Sequence, residues 1–241
     1  MGQDIELSAA DGGRFAAYLA TPESTAGSAP APGLIMLPEV FKTNAHIRSV
    51  ADQYAAAGYL VIAPDVYRRQ APGSYQEYTD EGFEHSVSLR EQLDTDQLAA
   101  DIGDIVSTLR ARSDCSGKIG VMGFCLGGRF TFLASTRLPI DAAVSYYGTQ
   151  IDRYLDEAQH LRCPLLLHFA AIDEHVPSSS VAAIQARLGT RDNVQIHVYQ
   201  EAEHGFNRAG YPSFNAPAAA SAGQRTLAHF QQLLMIGNDS Y

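Results

Sequence analysis

Cysteine is scarce in this chain: three in 241 residues, at positions 115, 125 and 163. They are too few and too scattered for a disulfide framework or a zinc site, and an odd count suits a reducing compartment. Basic residues are also in short supply, with 17 Lys and Arg against 27 Asp and Glu and a net charge of −10. With no dense basic block, binding to a nucleic-acid backbone is not expected. No apolar run is long enough to span a bilayer. The opening Met1-Gly-Gln-Asp-Ile-Glu has neither the basic nor the apolar region of a secretory leader. Gly2 does not signal myristoylation, because position 6 is Glu rather than Ser or Thr. The expectation is a cytoplasmic monomer with no membrane or nucleic-acid partner.

What is present is enough to build a core, at 46% hydrophobic residues. Residues 5–8 and 14–20 read as strands around Asp11-Gly12-Gly13, a hairpin signal. Residues 22–33, rich in Ala, Pro, Ser and Gly, read as an exposed connection. Strand-like runs then follow at 34–37, 59–63, 118–122, 142–146, 164–169 and 194–199. Helical patterns lie at 45–57 (closed by Gly58), 94–112, 178–188 and 217–234. Such alternation predicts a single α/β domain over 1–241, with a mostly parallel central sheet and helices on both faces. Residues 70–92 are the least regular and are expected to form a cap or loop over a site. Ligands in such sheets bind beyond the strands' carboxyl ends. Glu39, Cys125, Asp173 and His204 each follow a predicted strand directly or within a few residues.

The most telling stretch is Lys118-Ile-Gly-Val-Met-Gly-Phe-Cys-Leu-Gly-Gly-Arg129. Its Gly123-x-Cys125-x-Gly127 has the form of a nucleophile elbow with cysteine in the serine position. A sharp strand-to-helix turn would put Cys125 at a helix N-terminus, where the dipole and a nearby imidazole favour thiolate. A small buried core cysteine is the bland alternative. Asp173 and His204 follow in the order expected of the α/β-hydrolase fold. A carboxylate at 173 could orient His204 through its ring N–H, with Glu174 as a competitor. Metal binding by Asp173, Glu174, His175 and His168 is disfavoured, since adjacent residues rarely converge on one ion. No metal or cofactor is expected. A dinucleotide motif fails because position 125 is Cys where Gly is required.

Glu39 stands at a strand end, where a carboxylate is costly unless paired. The backbone N–H groups of Val40 and Leu126 could together form an oxyanion hole. Arg208, Arg68 and Arg69 fall on loops at the predicted edge. A guanidinium there could grip a substrate carboxylate, although for Arg68 an ordinary solvated arginine is expected.

Six blocks resemble the dienelactone hydrolase family, the carboxymethylenebutenolidases. They are Leu-Pro-Glu39-Val-Phe, Pro64-Asp-Val-Tyr-Arg-Arg-Gln-Ala-Pro-Gly73, Gly123-Phe-Cys-Leu-Gly-Gly128, Tyr146-Tyr-Gly148, Asp173-Glu-His-Val-Pro177 and His204-Gly-Phe-Asn-Arg208. The resemblance covers nearly the whole chain. It implies a Cys125–His204–Asp173 triad, with Glu39 taking the thiol proton once substrate binds. It implies also that Arg208 binds a substrate carboxylate and that Tyr146 lines the substrate. Arg69 and Arg90 are candidates for a second carboxylate-binding arginine, and Gly205 departs from the serine of well-known members. The partner so implied is a small, carboxylate-bearing lactone or ester. Thiolate chemistry points the same way: an enolate competes with sulfur as leaving group, whereas an ordinary alkoxide or amide does not. The expected reaction opens an enol-lactone through an acyl-thioester. A broader esterase or thioesterase, and a binding or redox-sensing scaffold, are the alternatives.

Overall fold

The structure is a computed structural model that describes residues 2–23, 29–73 and 77–235. It divides into two compact units, residues 1–119 and 120–241.

In the first unit, β1 (Gln3–Ser8) and β2 (Arg14–Ala20) form the expected antiparallel hairpin, with Ser8 opposite Arg14. Gly12 at φ 83 supplies its turn. β2 runs antiparallel to β4 (Leu60–Pro64), and β4 runs parallel to β3 (Ala31–Leu37). Leu34 to Leu37 are wholly buried, which is why β3 reads as a continuous apolar run. α1 (Ala45–Ala56) starts at Asn44, whose side chain accepts from the Ile47 N–H, and is followed by Gly58 at φ 97. α3 (Thr95–Ala111) is capped by Asp94 and buries Leu98, Ile102, Ile105 and Leu109 at helical spacing.

The irregular stretch contains a helix that its composition hides. α2 (Asp80–Glu91) buries only Gly82, Ser86 and Leu89, too thin an apolar face to register as a period. Thr79 caps it by accepting from the Gly82 N–H. Residues 74–76 of that stretch, and 24–28 of the connection after β2, lie outside the described residues.

β5 (Cys115–Phe124) leads into the second unit. There β5, β6 (Ala142–Tyr146), β7 (Leu165–Ile172) and β8 (Val194–Glu203) pair in order, all parallel. α4 (Leu126–Arg137) packs on β6, and α6 (Ala216–Phe230) packs on β6, β7 and β8. α5 (Ser178–Leu188) packs on a 3-10 segment, Ile151–His160, that the periodicity misses. β8 is longer than its apolar pattern suggests. The ladder pairs Ala170 with Tyr199 but Ile172 with Glu203, so β8 takes up two extra residues in an irregularity and continues through a polar segment.

Candidate active site

Cys125 directly follows β5 and precedes α4, at φ 54 and ψ −111. A non-glycine residue held there stores roughly 1–3 kcal/mol of backbone strain, so the surroundings must over-determine it. They do: its N–H donates to the Tyr146 carbonyl at 3.0 Å and its carbonyl accepts from the Thr149 N–H at 3.2 Å. The glycines permit the close turn. A Cβ on Gly123 would overlap the Gly127 carbonyl, and one on Gly128 would lie 2.7 Å from the Gly148 Cα. The backbone N–H of Leu126 opens α4, where helical donors lack intrahelical partners.

Asp173 and His204 are brought together by the β7–β8 ladder. Ile172 faces Glu203 across it, so the next residue of each strand emerges beside the other. The result is a two-oxygen contact: His204 Nδ1 lies 2.8 Å and 3.0 Å from the Asp173 carboxylate oxygens. Asp173 Oδ1 also accepts from the N–H groups of His175 (2.8 Å) and Val176 (2.9 Å). These two donors orient the carboxylate independently of the histidine. Glu174 stays exposed, so Asp173 is the partner and its competitor is not.

The charge arrangement follows from burial. Burial alone pushes the His204 imidazolium down, but the negative charge of Cys125 and the hydrogen bond that the ring donates to Asp173 outweigh it and hold the ring up to about 10. His204 Nε2 is buried, with no hydrogen-bond partner of good geometry among the described residues. The rings of Tyr147 and His175 stand edge-on to His204, at 4.9 Å and 4.7 Å. The sequence offers His175 only as a disfavoured metal ligand and gives Tyr147 no role of its own; Tyr147 sits at φ 37 within the Tyr146-Tyr-Gly148 block.

The remaining expected residues divide. Tyr146 does not present its hydroxyl to a ligand: it is 2% exposed and its oxygen lies 2.7 Å from the Thr226 hydroxyl. Its neighbour Tyr147 touches the histidine instead. Arg69 is engaged by Asp101 and Asp11 at 2.5 Å and 2.9 Å, and Arg68 by the same carboxylates at 2.8 Å and 2.7 Å. Arg68, expected to be solvated, has a side chain only 6% exposed. Both arginines thus tie the hairpin to α3 in the first unit. Arg90 lies in the last turn of α2.

Arg208 lies over Gly205, which adopts φ 81, and a Cβ there would come within 2.7 Å of the guanidinium carbon. Glycine at 205 therefore leaves room for the Arg208 guanidinium where it lies. Its charge, with that of His204, adds to burial in lowering the proton affinity of His175. In the first unit, Glu39 is fully buried two residues beyond β3 and accepts a 2.7 Å hydrogen bond from the Tyr78 hydroxyl. Val40, next in the chain, is 4% exposed. Among the described residues no cluster of three or more His, Cys, Asp or Glu could hold a metal ion, and no helix is long and apolar enough to cross a membrane.

The sequence profile of the dienelactone hydrolase family matches residues 15–234. A carboxymethylenebutenolidase of Pseudomonas putida is 32% identical over 226 residues, covering 93% of this chain and 94% of its own. The solved structure of a Klebsiella pneumoniae protein provisionally named a dienelactone hydrolase is 30% identical, covers 96% of this chain and 99% of its own, and superposes at a TM-score of 0.84. An alpha/beta hydrolase of a Penicillium species, 14% identical, covers 98% of this chain and 100% of its own at a TM-score of 0.75, a likeness of fold alone. The mostly parallel sheet with its helices is thus the α/β-hydrolase fold.

Proposed function

This chain belongs to the dienelactone hydrolase family and is a carboxylic ester hydrolase; from that premise we propose that it opens a carboxylate-bearing enol-lactone, of the dienelactone-to-maleylacetate kind, through an acyl-thioester on Cys125. The observation that carries this reading is the His204–Asp173 contact, together with a cysteine held on a strained elbow between β5 and α4.

The cycle follows from those groups. The Cys125 thiolate attacks the lactone carbonyl, and the oxyanion is held by the backbone N–H of Leu126 with that of Val40. Where the sulfur meets substrate as a thiol, Glu39 takes its proton, the role that the family resemblance implies, and returns it to the sulfur when the acid leaves. Collapse of the tetrahedral intermediate breaks the ring C–O bond and expels an enolate. Acylation also removes the sulfur's negative charge, the main influence holding the proton on His204. The imidazolium therefore gives that proton to the departing enolate, which becomes the ketone. Neutral His204, still oriented by Asp173, then takes a proton from water as the water attacks the thioester. The acid leaves, and the released thiolate again faces an imidazolium.

Arg208 grips the substrate's carboxylate. Replacing it with alanine is expected to raise KM for a carboxylate-bearing enol-lactone about tenfold or more while changing turnover of a neutral aryl ester little. Steady-state assays on both substrates check this. Equal losses on the two would remove the carboxylate grip, and a wild-type preference for neutral aryl esters would favour a broader esterase.

A further inference from the structure

The turn after β3 is held from two sides within the first unit. Its backbone closes on itself, with the Lys42 N–H donating to the Glu39 carbonyl at 3.2 Å. Lys42 sits at φ 67 with its side chain 2% exposed, and its ammonium lies 3.0 Å from Asp65 Oδ1. That buried pair anchors the far end of the turn to the segment after β4. The near end is held by a different device. Tyr78, the residue before the Thr79 cap of α2, donates its hydroxyl to Glu39 Oε2 at 2.7 Å. The same ring packs edge-on against Phe41 with centroids 4.6 Å apart, and Phe83 of α2 lies 6.1 Å from Phe41.

One side chain thus meets the turn twice, its ring on Phe41 and its hydroxyl on the carboxylate. A carboxylate with no exposure to water has few orientations in which its charge is satisfied, and a neutral donor on one oxygen selects among them.

We propose that Tyr78 is a positioning residue for Glu39, and that α2 serves to deliver it: the phenol hydroxyl fixes the orientation of the carboxylate that takes the thiol proton. The inference rests on the reading of Glu39 as that proton acceptor. It gives the irregular stretch a specific task.

Tyr78→Phe removes one oxygen and keeps the ring on Phe41, so a double-mutant cycle with Glu39→Gln tests the coupling. Expected are a fall of about tenfold in kcat with KM nearly constant for Tyr78→Phe in the wild-type background, and little further change when the same substitution is made in Glu39→Gln. A merely structural role would instead lower the unfolding midpoint and depress both backgrounds alike. Equal loss in the two backgrounds, or full activity in Tyr78→Phe beside a disabled Glu39→Gln, would overturn the positioning role alone. Full activity in Glu39→Gln would overturn the reading of Glu39 and this inference with it.

Discussion

A Cys125→Ala protein is expected to fold like the wild type and to lose at least about 10⁴-fold of its kcat on an enol-lactone, because the proposed acyl intermediate forms on its sulfur. Alanine carries the same Cβ, so the strained backbone at φ 54 and the glycine contacts around the turn are unaltered. Circular dichroism should match that of the wild type. Intact-mass analysis of the wild-type protein mixed with substrate should find an acyl adduct that Cys125→Ala lacks. Activity within about tenfold of wild type would assign the chemistry to another nucleophile.

Asp173→Asn has the second-largest expected effect. The carboxylate accepts from His204 Nδ1 and from two backbone N–H groups, so both of its oxygens are used. An amide offers one acceptor and turns a donor on one of these partners. Either the turn at His175 and Val176 or the histidine loses its bond, and the imidazole no longer has a fixed tautomer. The expected loss is about 10³-fold or more in kcat with KM little changed, together with roughly 1–3 kcal/mol of stability from the mismatched buried group. Glu174→Gln should leave kcat within about twofold, since that side chain is exposed; single-turnover kinetics on the three proteins compare them directly.

Much of this could be read from residues alone, for a physical reason. A buried parallel strand must be almost wholly apolar, so 34–37, 118–122 and 142–146 announce β3, β5 and β6. The elbow's glycines announce a turn with no room for side chains, and the order of Cys125, Asp173 and His204 fixes which strand ends carry them. The failures arise where tertiary context overrides local pattern. β8 runs on through Gln200-Glu-Ala-Glu203 because an irregular ladder, not hydrophobicity, pairs it with β7. α2 is held by a cap and three buried residues, too few to show a period. Tyr146 and Tyr147 are adjacent and identical in kind, so nothing local says which ring reaches His204; it is Tyr147, at positive φ just past β6. Arg68 and Arg69 look like free loop cations because their partners, Asp11 and Asp101, lie far away in sequence.

The charge state of His204 also has a consequence for stability. Its value is raised in the folded protein, from 6.5 to about 10. Its protonation therefore stabilises the fold fully below about pH 6.5 and progressively less as pH rises through about 10. The same dependence on sulfur charge drives the proposed cycle, and it can be read without turnover. An NMR titration of the His204 ring, in the free protein and after Cys125 is capped by a neutral alkylating reagent, measures it directly. A value near 10 that falls by more than one unit on capping is the predicted result. A ring that titrates near 6.5 and does not move on capping would contradict the coupling of sulfur and imidazole on which the mechanism depends.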